Sequence, residues 1–158
     1  MNTTITDKTI LLSKKGMKEL KRSIAQLEHD RQKALQSLRE LDKSTIRDTR
    51  LSRIEKLSIV EGLESELADK KIILSSAKLI PAKRNRIQVA IGSVVELIDK
   101  HGKMFRYTIV DSIEANPSDG RISTESPLGQ SLIGKTIKDI VEWSNGNRTN
   151  RFQLVNIC

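Results

Sequence analysis

In SKKGMKELKRSIAQLEHDRQKALQSLRELDKS the positions Met17, Leu20, Ile24, Leu27, Arg31, Ala34, Leu38 and Leu41 follow one another at alternating steps of three and four. That is the seam of a coiled coil, interrupted by one arginine. Ser13 suits the N-cap of this helix, because its hydroxyl can accept from an orphan amide of the first turn, with Leu12 ahead of it as a staple. A second apolar series, Leu51, Ile54, Leu57, Val60, Leu63, Leu67, Leu74 and Ala77, predicts another helix with Lys70 on its seam, stopped by Pro81. The two helices are joined by residues 44 to 50, which include no glycine or proline. They can bury their seams by folding back as an antiparallel hairpin or by pairing with another chain, and the hairpin is the expected solution. About 30 residues at 1.5 Å rise make a rod of roughly 45 Å, a shape for reaching rather than a globular core.

From residue 86 the period changes to two. RIQVAIGSVVELIDKHGKMFRYTIVDSI alternates apolar and polar positions around turn signals at Gly92 and DKHG, which predicts strands. NPSDGRIST reads as a turn feeding a short strand, and SPLGQSLIG as a loop with one helical turn. IVEWSNGNRTNRFQLVNI closes as a hairpin across Asn145-Gly146. The fold class expected is α+β: a coiled-coil hairpin over residues 1–80, then a small antiparallel sheet domain over 81–158, with PAKRNR as the linker.

Composition sharpens this picture. Only 37% of the 158 residues are apolar and 3% aromatic, which leaves a modest core. The net charge of +8 is shared, with 17 basic against 12 acidic residues in 1–80 and 11 against 8 in 81–158. Both halves therefore favour an anionic partner: nucleic acid, a nucleoprotein machine or an acidic protein surface. Lys14, Lys15 and Lys18 lie where a helix dipole disfavours cations, and form either a solvated face or an anion-binding surface. The one cysteine, Cys158, allows no internal disulfide and no cysteine-based metal site. The opening MNTTITDKTILLSKKG has neither the basic leader nor the apolar core of a signal peptide, so a cytoplasmic location is expected. His29 on a helix surface and His101 in a turn stand alone, and no metal motif, nucleotide loop or nucleophile constellation appears.

Four segments, LSKKGMKEL, LSSAKLI, IGSVVEL and above all ISTESPLGQSLIGK at residues 122–135, carry a resemblance to the bacterial GreA/GreB transcript-cleavage factors. It covers nearly the whole chain. The resemblance implies a coiled-coil hairpin followed by an FKBP-like domain, and a non-enzymatic factor that binds RNA polymerase at the secondary channel with the hairpin pointing toward the active site. The docking loop would map to Ser126, Pro127, Leu128 and Gly129, supported by Gly134 and Lys135. An exposed Pro-Leu step would offer a rigid apolar contact at little ordering cost; an ordinary strand-to-helix turn with a buried leucine is the other reading. An FKBP-like fold also raises prolyl isomerisation, but Phe105, Tyr107, Trp143 and Phe152 are the only aromatics and a small core needs most of them.

The tip departs from the family. Cleavage factors of this kind carry an Asp and a Glu three residues apart, which help to hold a second Mg²⁺ in the polymerase for a two-metal displacement on backtracked RNA. Counting from the first helix places the pair on Arg47 and Arg50, and counting back from the second places it on Ile46 and Thr49; both registers lose the carboxylates. Asp48 is the nearest acid and the one tip candidate for a catalytic role, while Asp42 enters only with a gap in the first helix. Lys43, Arg47, Arg50 and Arg53 surround it, and unit charges a few ångströms apart interact by about 4 kcal/mol at an effective dielectric of 20. Such a tip repels a divalent cation and favours phosphate oxygens of nascent RNA or nucleotide, or the polymerase's own metal-binding carboxylates. The expectation is a monomeric elongation factor with no intrinsic cofactor, depending on the Mg²⁺ of the polymerase, in which cleavage stimulation is weak or replaced by channel blocking, as in relatives with altered tips. The rivals are a basic coiled-coil module that binds nucleic acid without polymerase, and a structural coiled-coil dimer.

Overall fold

The computed structural model describes residues 9–43, 50–82 and 86–158. They fall into two compact units, one of Met17–Ala77 and the other of Thr9–Gly16 with Lys78–Cys158. The tip residues Ile46, Arg47, Asp48 and Thr49 lie outside the described residues, as do Lys83, Arg84 and Asn85 of the expected linker.

The first unit is a pair of helices, α1 (Lys14–Asp42, 29 residues) and α2 (Arg50–Ser76, 27 residues). Cross-helix ion pairs fix an antiparallel order: Arg53 with Asp42 at 2.7 Å, Arg31 with Glu64 at 2.9 Å and Lys71 with Glu28 at 2.8 Å. These pairs are exposed and each contributes about 1 kcal/mol or less. The apolar seam does the main work, with Leu20, Ile24 and Leu27 of α1 and Val60 and Leu67 of α2 buried. Arg31, the interruption in that seam, turns its guanidinium out to Glu64.

Toward the distal end the expected seam of α2 is not found. Leu51 is 67% exposed and Ile54 57%, whereas Val60 is 6%. The reason is angular. Steps of three residues advance about 300° at roughly 100° per residue, so a run spaced only by threes drifts about 60° per step, and Leu51 ends on the side of α2 opposite Val60. Polar groups take the place of an apolar seam there: Lys56 Nζ donates to the Ser37 carbonyl at 3.3 Å and to Ser37 Oγ at 2.5 Å.

A second departure lies at the end of α2. The helix stops at Ser76 rather than running to Pro81, and Ala77–Leu79 becomes a strand, β2, paired with β1 (Ile10–Leu12). The Ile80 amide extends the pairing by donating to the Leu12 carbonyl at 2.9 Å.

The second unit contains a five-stranded sheet of β3 (Val94–Asp99), β4 (Met104–Val110), β5 (Arg121–Ser123), β6 (Ile140–Asn145) and β7 (Arg148–Ile157), in the order β5-β4-β3-β7-β6. Three of its pairings are antiparallel as expected, but β4 and β5 run parallel, with Thr108 opposite Arg121. Their connection holds two 3-10 turns, Ser112–Glu114 and Pro117–Asp119. One sheet face and the short helix α3 (Pro127–Leu132) enclose Val95, Leu97, Ile109, Leu132, Val141 and Leu154, all nearly or fully buried. The aromatics serve this core: Trp143 stacks on Phe152 at 5.2 Å, and Phe105 meets Phe152 edge-on at 5.4 Å. In β7 the partner of Glu96 is Asn156 and that of Leu97 is Leu154, so Val155 is the extra residue of a bulge.

Two turns at the sheet margin are closed by carboxylates. Asp99 accepts from the Lys103 amide at 2.9 Å and the His101 amide at 2.8 Å. Asp139 accepts from the Thr136 amide at 2.8 Å and its hydroxyl at 3.0 Å. Donation by the Lys103 amide, and by the Thr136 amide, lowers the respective carboxyl pKa below 3.8.

Candidate functional site

The segment from β5 into α3 is built from local chemistry. Ser126 is the N-cap of α3: its Oγ accepts from the Gly129 amide at 3.0 Å and donates to the Ser123 carbonyl at 2.8 Å. Pro127 follows at the first helical turn, where its missing N–H costs nothing and its fixed φ suits the helix. Gly129 is required by a close approach, since a Cβ there would stand 1.9 Å from the Ser123 carbonyl oxygen.

Pro127 is exposed, but Leu128 is not. Its side chain is buried with Ile122, Leu132 and the rest of the core. The exposed Pro-Leu step is therefore corrected to an exposed proline followed by a core leucine. A helix of six residues has one face to bury, and Leu128 and Leu132, four apart, share it. Gly134, at φ 80°, and Lys135 pair with Val89: the Gly134 amide donates to Val89 O at 2.8 Å, and Val89 N donates back to Lys135 O at 2.9 Å.

Beside Pro127 lies a groove of about 330 Å³. Its walls come from Ala115 and Pro117 before β5, Ile122 and Ser126 in the loop, and Trp143 and Asn145 on β6. Sequence reading assigned Trp143 to the core and missed its second role here. Ala115 to Ser126 is one continuous stretch, whereas Trp143 and Asn145 lie on β6, at the other end of the sheet order from β5, and the packing of α3 against β6 brings the two together; the single tryptophan after a strand-like IVE was the one signal available.

At the hairpin's distal end Lys43, Arg50 and Arg53 are all exposed. Arg53 is held by Asp42, so its charge is partly neutralised. Arg47 and Asp48 fall outside the described residues. Among the described residues no cluster of three or more His, Cys, Asp or Glu has the arrangement of a metal site, and no helix is long and apolar enough to cross a membrane.

The description "Transcription elongation factor, GreA/GreB, C-term" belongs to the family model that matches residues 84–158. Transcription elongation factor GreA of Nautilia profundicola is 41% identical over 106 residues, 66% of this chain and 64% of its own length. That of Helicobacter hepaticus is 35% identical over 105 residues, 65% and 63% respectively. The matches thus span somewhat less than two thirds of these curated relatives. A crystal structure of GreA factor homolog 1 of Thermus thermophilus aligns with 96% of this chain and 99% of its own at 25% identity, with a TM-score of 0.46. Residues 84–158 thus match the C-terminal model of the GreA/GreB transcription elongation factors, and the chain is similar to these GreA relatives over about two thirds of its length.

Proposed function

We propose that this protein is an elongation factor that binds RNA polymerase through its sheet-bearing unit and acts on arrested or backtracked complexes through the hairpin. The observation that carries the reading is the family match to residues 84–158, which includes the Ser126-to-Lys135 segment. Pro127, rigid and exposed at the rim of an apolar groove, is the contact residue. Ser126 and Gly129 fix its backbone, Leu128 anchors it from below, and Gly134 and Lys135 brace the loop. Interfaces gain most from apolar groups that are already ordered before binding, and a capped first turn with proline is such a group.

The hairpin is not an enzyme in its own right. With both registers of the acidic pair lost, it contributes at most one carboxylate, Asp48, toward the polymerase's Mg²⁺. Lys43, Arg47 and Arg50 place positive charge at the tip, which suits phosphates of RNA or nucleotide, or the polymerase's carboxylates, better than a second metal. The protein thus stimulates transcript cleavage weakly and occupies the secondary channel, acting as a monomer in the cytoplasm. The test is transcript cleavage and elongation on backtracked complexes of the cognate polymerase. Slowed elongation with little cleavage supports the reading, and the absence of any polymerase binding removes it.

A further inference from the structure

The five-stranded sheet ends in two strands of unequal length, β5 with three residues and β6 with six. β6 turns into β7 through Gly146, at φ 64°, and Asn147, with Asn145 opposite Arg148. The backbone groups of Asn145, Trp143 and Val141 therefore face β7, and alternation turns the N–H and C=O of Ile140, Glu142 and Ser144 outward along the edge. The edge stops just before Ile140. There Lys138 takes a φ of 77°, its amide donates to the Leu154 carbonyl at 2.7 Å, and the Leu154 amide donates to the Asp139 carbonyl at 2.9 Å, an irregularity of the kind that ends pairing.

Sheet edges are commonly guarded by proline, by an unanswered charge or by a covering element. β6 contains no proline, and its charge, Glu142, is answered within the sheet by Arg151 at 3.2 Å. Two concavities flank it. Toward the turn lies the groove beside Pro127, with Ile122, Leu128 and Trp143 in its apolar walls. Toward Ile140 lies another of about 390 Å³, with Ser131 and Lys135 on one side and Ile140, Glu142 and Arg151 on the other. Arg151 and Glu142 offset each other, so Lys135 sets the sign of this second concavity, which is positive. Space for an added strand, free backbone groups, an apolar end and a cationic end thus lie along one edge.

We propose that the edge of β6 binds an extended, acidic segment of a partner protein by antiparallel strand addition, with an apolar side chain in the Trp143 groove and a carboxylate beside Lys135. An added strand repeats the period of two, so its residues opposite Asn145 and Val141 both point to the α3 side. The segment that fits has an apolar residue followed four positions later by Asp or Glu. Backbone bonds supply affinity and the two side chains selectivity. This surface goes beyond the elongation reading and is tested without polymerase. The full chain is titrated with a labelled seven-residue peptide of threonines carrying leucine at its second position and glutamate at its sixth, followed by amide chemical shifts and fluorescence anisotropy. Saturable binding shifts the amides of Ile140, Glu142 and Ser144, and E142A binds no more than about twofold more weakly than wild type, because the backbone makes the bond. E142P loses the outward N–H but none of the β7 bonds, at a place where an edge strand tolerates proline, and binds about tenfold or more weakly. K135E weakens binding by about fivefold, the scale of an exposed ion pair, and a peptide with lysine at the sixth position regains it. A peptide N-methylated on alternate backbone amides needs no protein variant and does not bind. Lack of saturable binding at millimolar peptide, shifts confined to other strands, or equal binding by the N-methylated peptide overturns the proposal and leaves the elongation reading untouched.

Discussion

The α-carbon of Gly129 faces the carbonyl of Ser123 so closely that a β-carbon would stand 1.9 Å from the oxygen. The same carbonyl accepts from Ser126 Oγ, and that hydroxyl oxygen accepts from Gly129 N–H, so cap, strand end and helix start share one small knot of backbone. Gly129→Ala forces these atoms apart. The expected cost is about 1–3 kcal/mol, the range for overpacked sites. Denaturant unfolding followed by Trp143 fluorescence measures it, and an unchanged midpoint would show that the loop relaxes freely.

Pro127 and Leu128 are adjacent but answer to different forces. Pro127→Ala removes an exposed contact, so polymerase affinity falls while stability changes by no more than about 0.5 kcal/mol, as for ordinary surface substitutions. Leu128→Ala empties a core position and costs about 2–5 kcal/mol of stability. A Leu128 substitution is consequently no probe of docking. Pull-down of polymerase with each single variant, beside its melting curve, separates the two roles; normal binding by Pro127→Ala would move the docking contact elsewhere.

Much of this was legible in the sequence, and the exceptions have physical causes. The alternating three-and-four steps from Met17 to Leu41 place α1 and its buried face correctly, because that rhythm keeps residues on one side of a helix. The equal steps of three from Leu51 to Leu63 do not, and their drift puts the distal apolar residues outside. Ser13 announced itself as a cap by residue type, but its partner Glu114 could not be foreseen from a separation of 101 residues. The parallel pairing of β5 was hidden for a similar reason: a three-residue strand after two turns has no period to read. In the segment from β5 into α3, residue types identified the cap and the proline, whereas the inward direction of Leu128 depends on where α3 meets the sheet.

Asp99 and Asp139 give the fold an acid limit. Each carboxyl is held below its ordinary 3.8, first by the amide of Lys103 and of Thr136 respectively. A group with a lowered folded-state pKa contributes stability above its unfolded pKa and loses it as pH falls through the folded one. The stabilisation is therefore complete at pH 7, begins to be lost near about pH 4 and is lost progressively as pH falls further through the lowered folded-state pKa. Asp139→Asn keeps an acceptor for the Thr136 amide but not the charge, so it should melt below wild type at neutral pH and converge with it in acid. Melting temperatures taken from pH 7 to 2 check this; a constant gap between the curves would mean that the effect of the substitution is steric.

The tip offers the sharpest chemical test. Arg50 is exposed at the start of α2, whereas Arg53 is engaged by Asp42 at 2.7 Å, so the charge to exchange is that of Arg50 and its neighbour Arg47. Wild type should stimulate cleavage poorly and compete with an authentic cleavage factor for the channel. Arg47→Asp with Arg50→Glu removes two repelling charges and restores two hard oxygen ligands at the spacing that a second Mg²⁺ requires, and should raise Mg²⁺-dependent cleavage by about tenfold or more. Ile46→Asp with Thr49→Glu restores the same spacing one position earlier, and the pair that gains more identifies the register. If Asp48 suffices alone, wild type instead cleaves efficiently and Asp48→Asn silences it. Efficient wild-type cleavage that survives Asp48→Asn would contradict both versions and assign the metal ligands to another residue of this chain or to the polymerase itself.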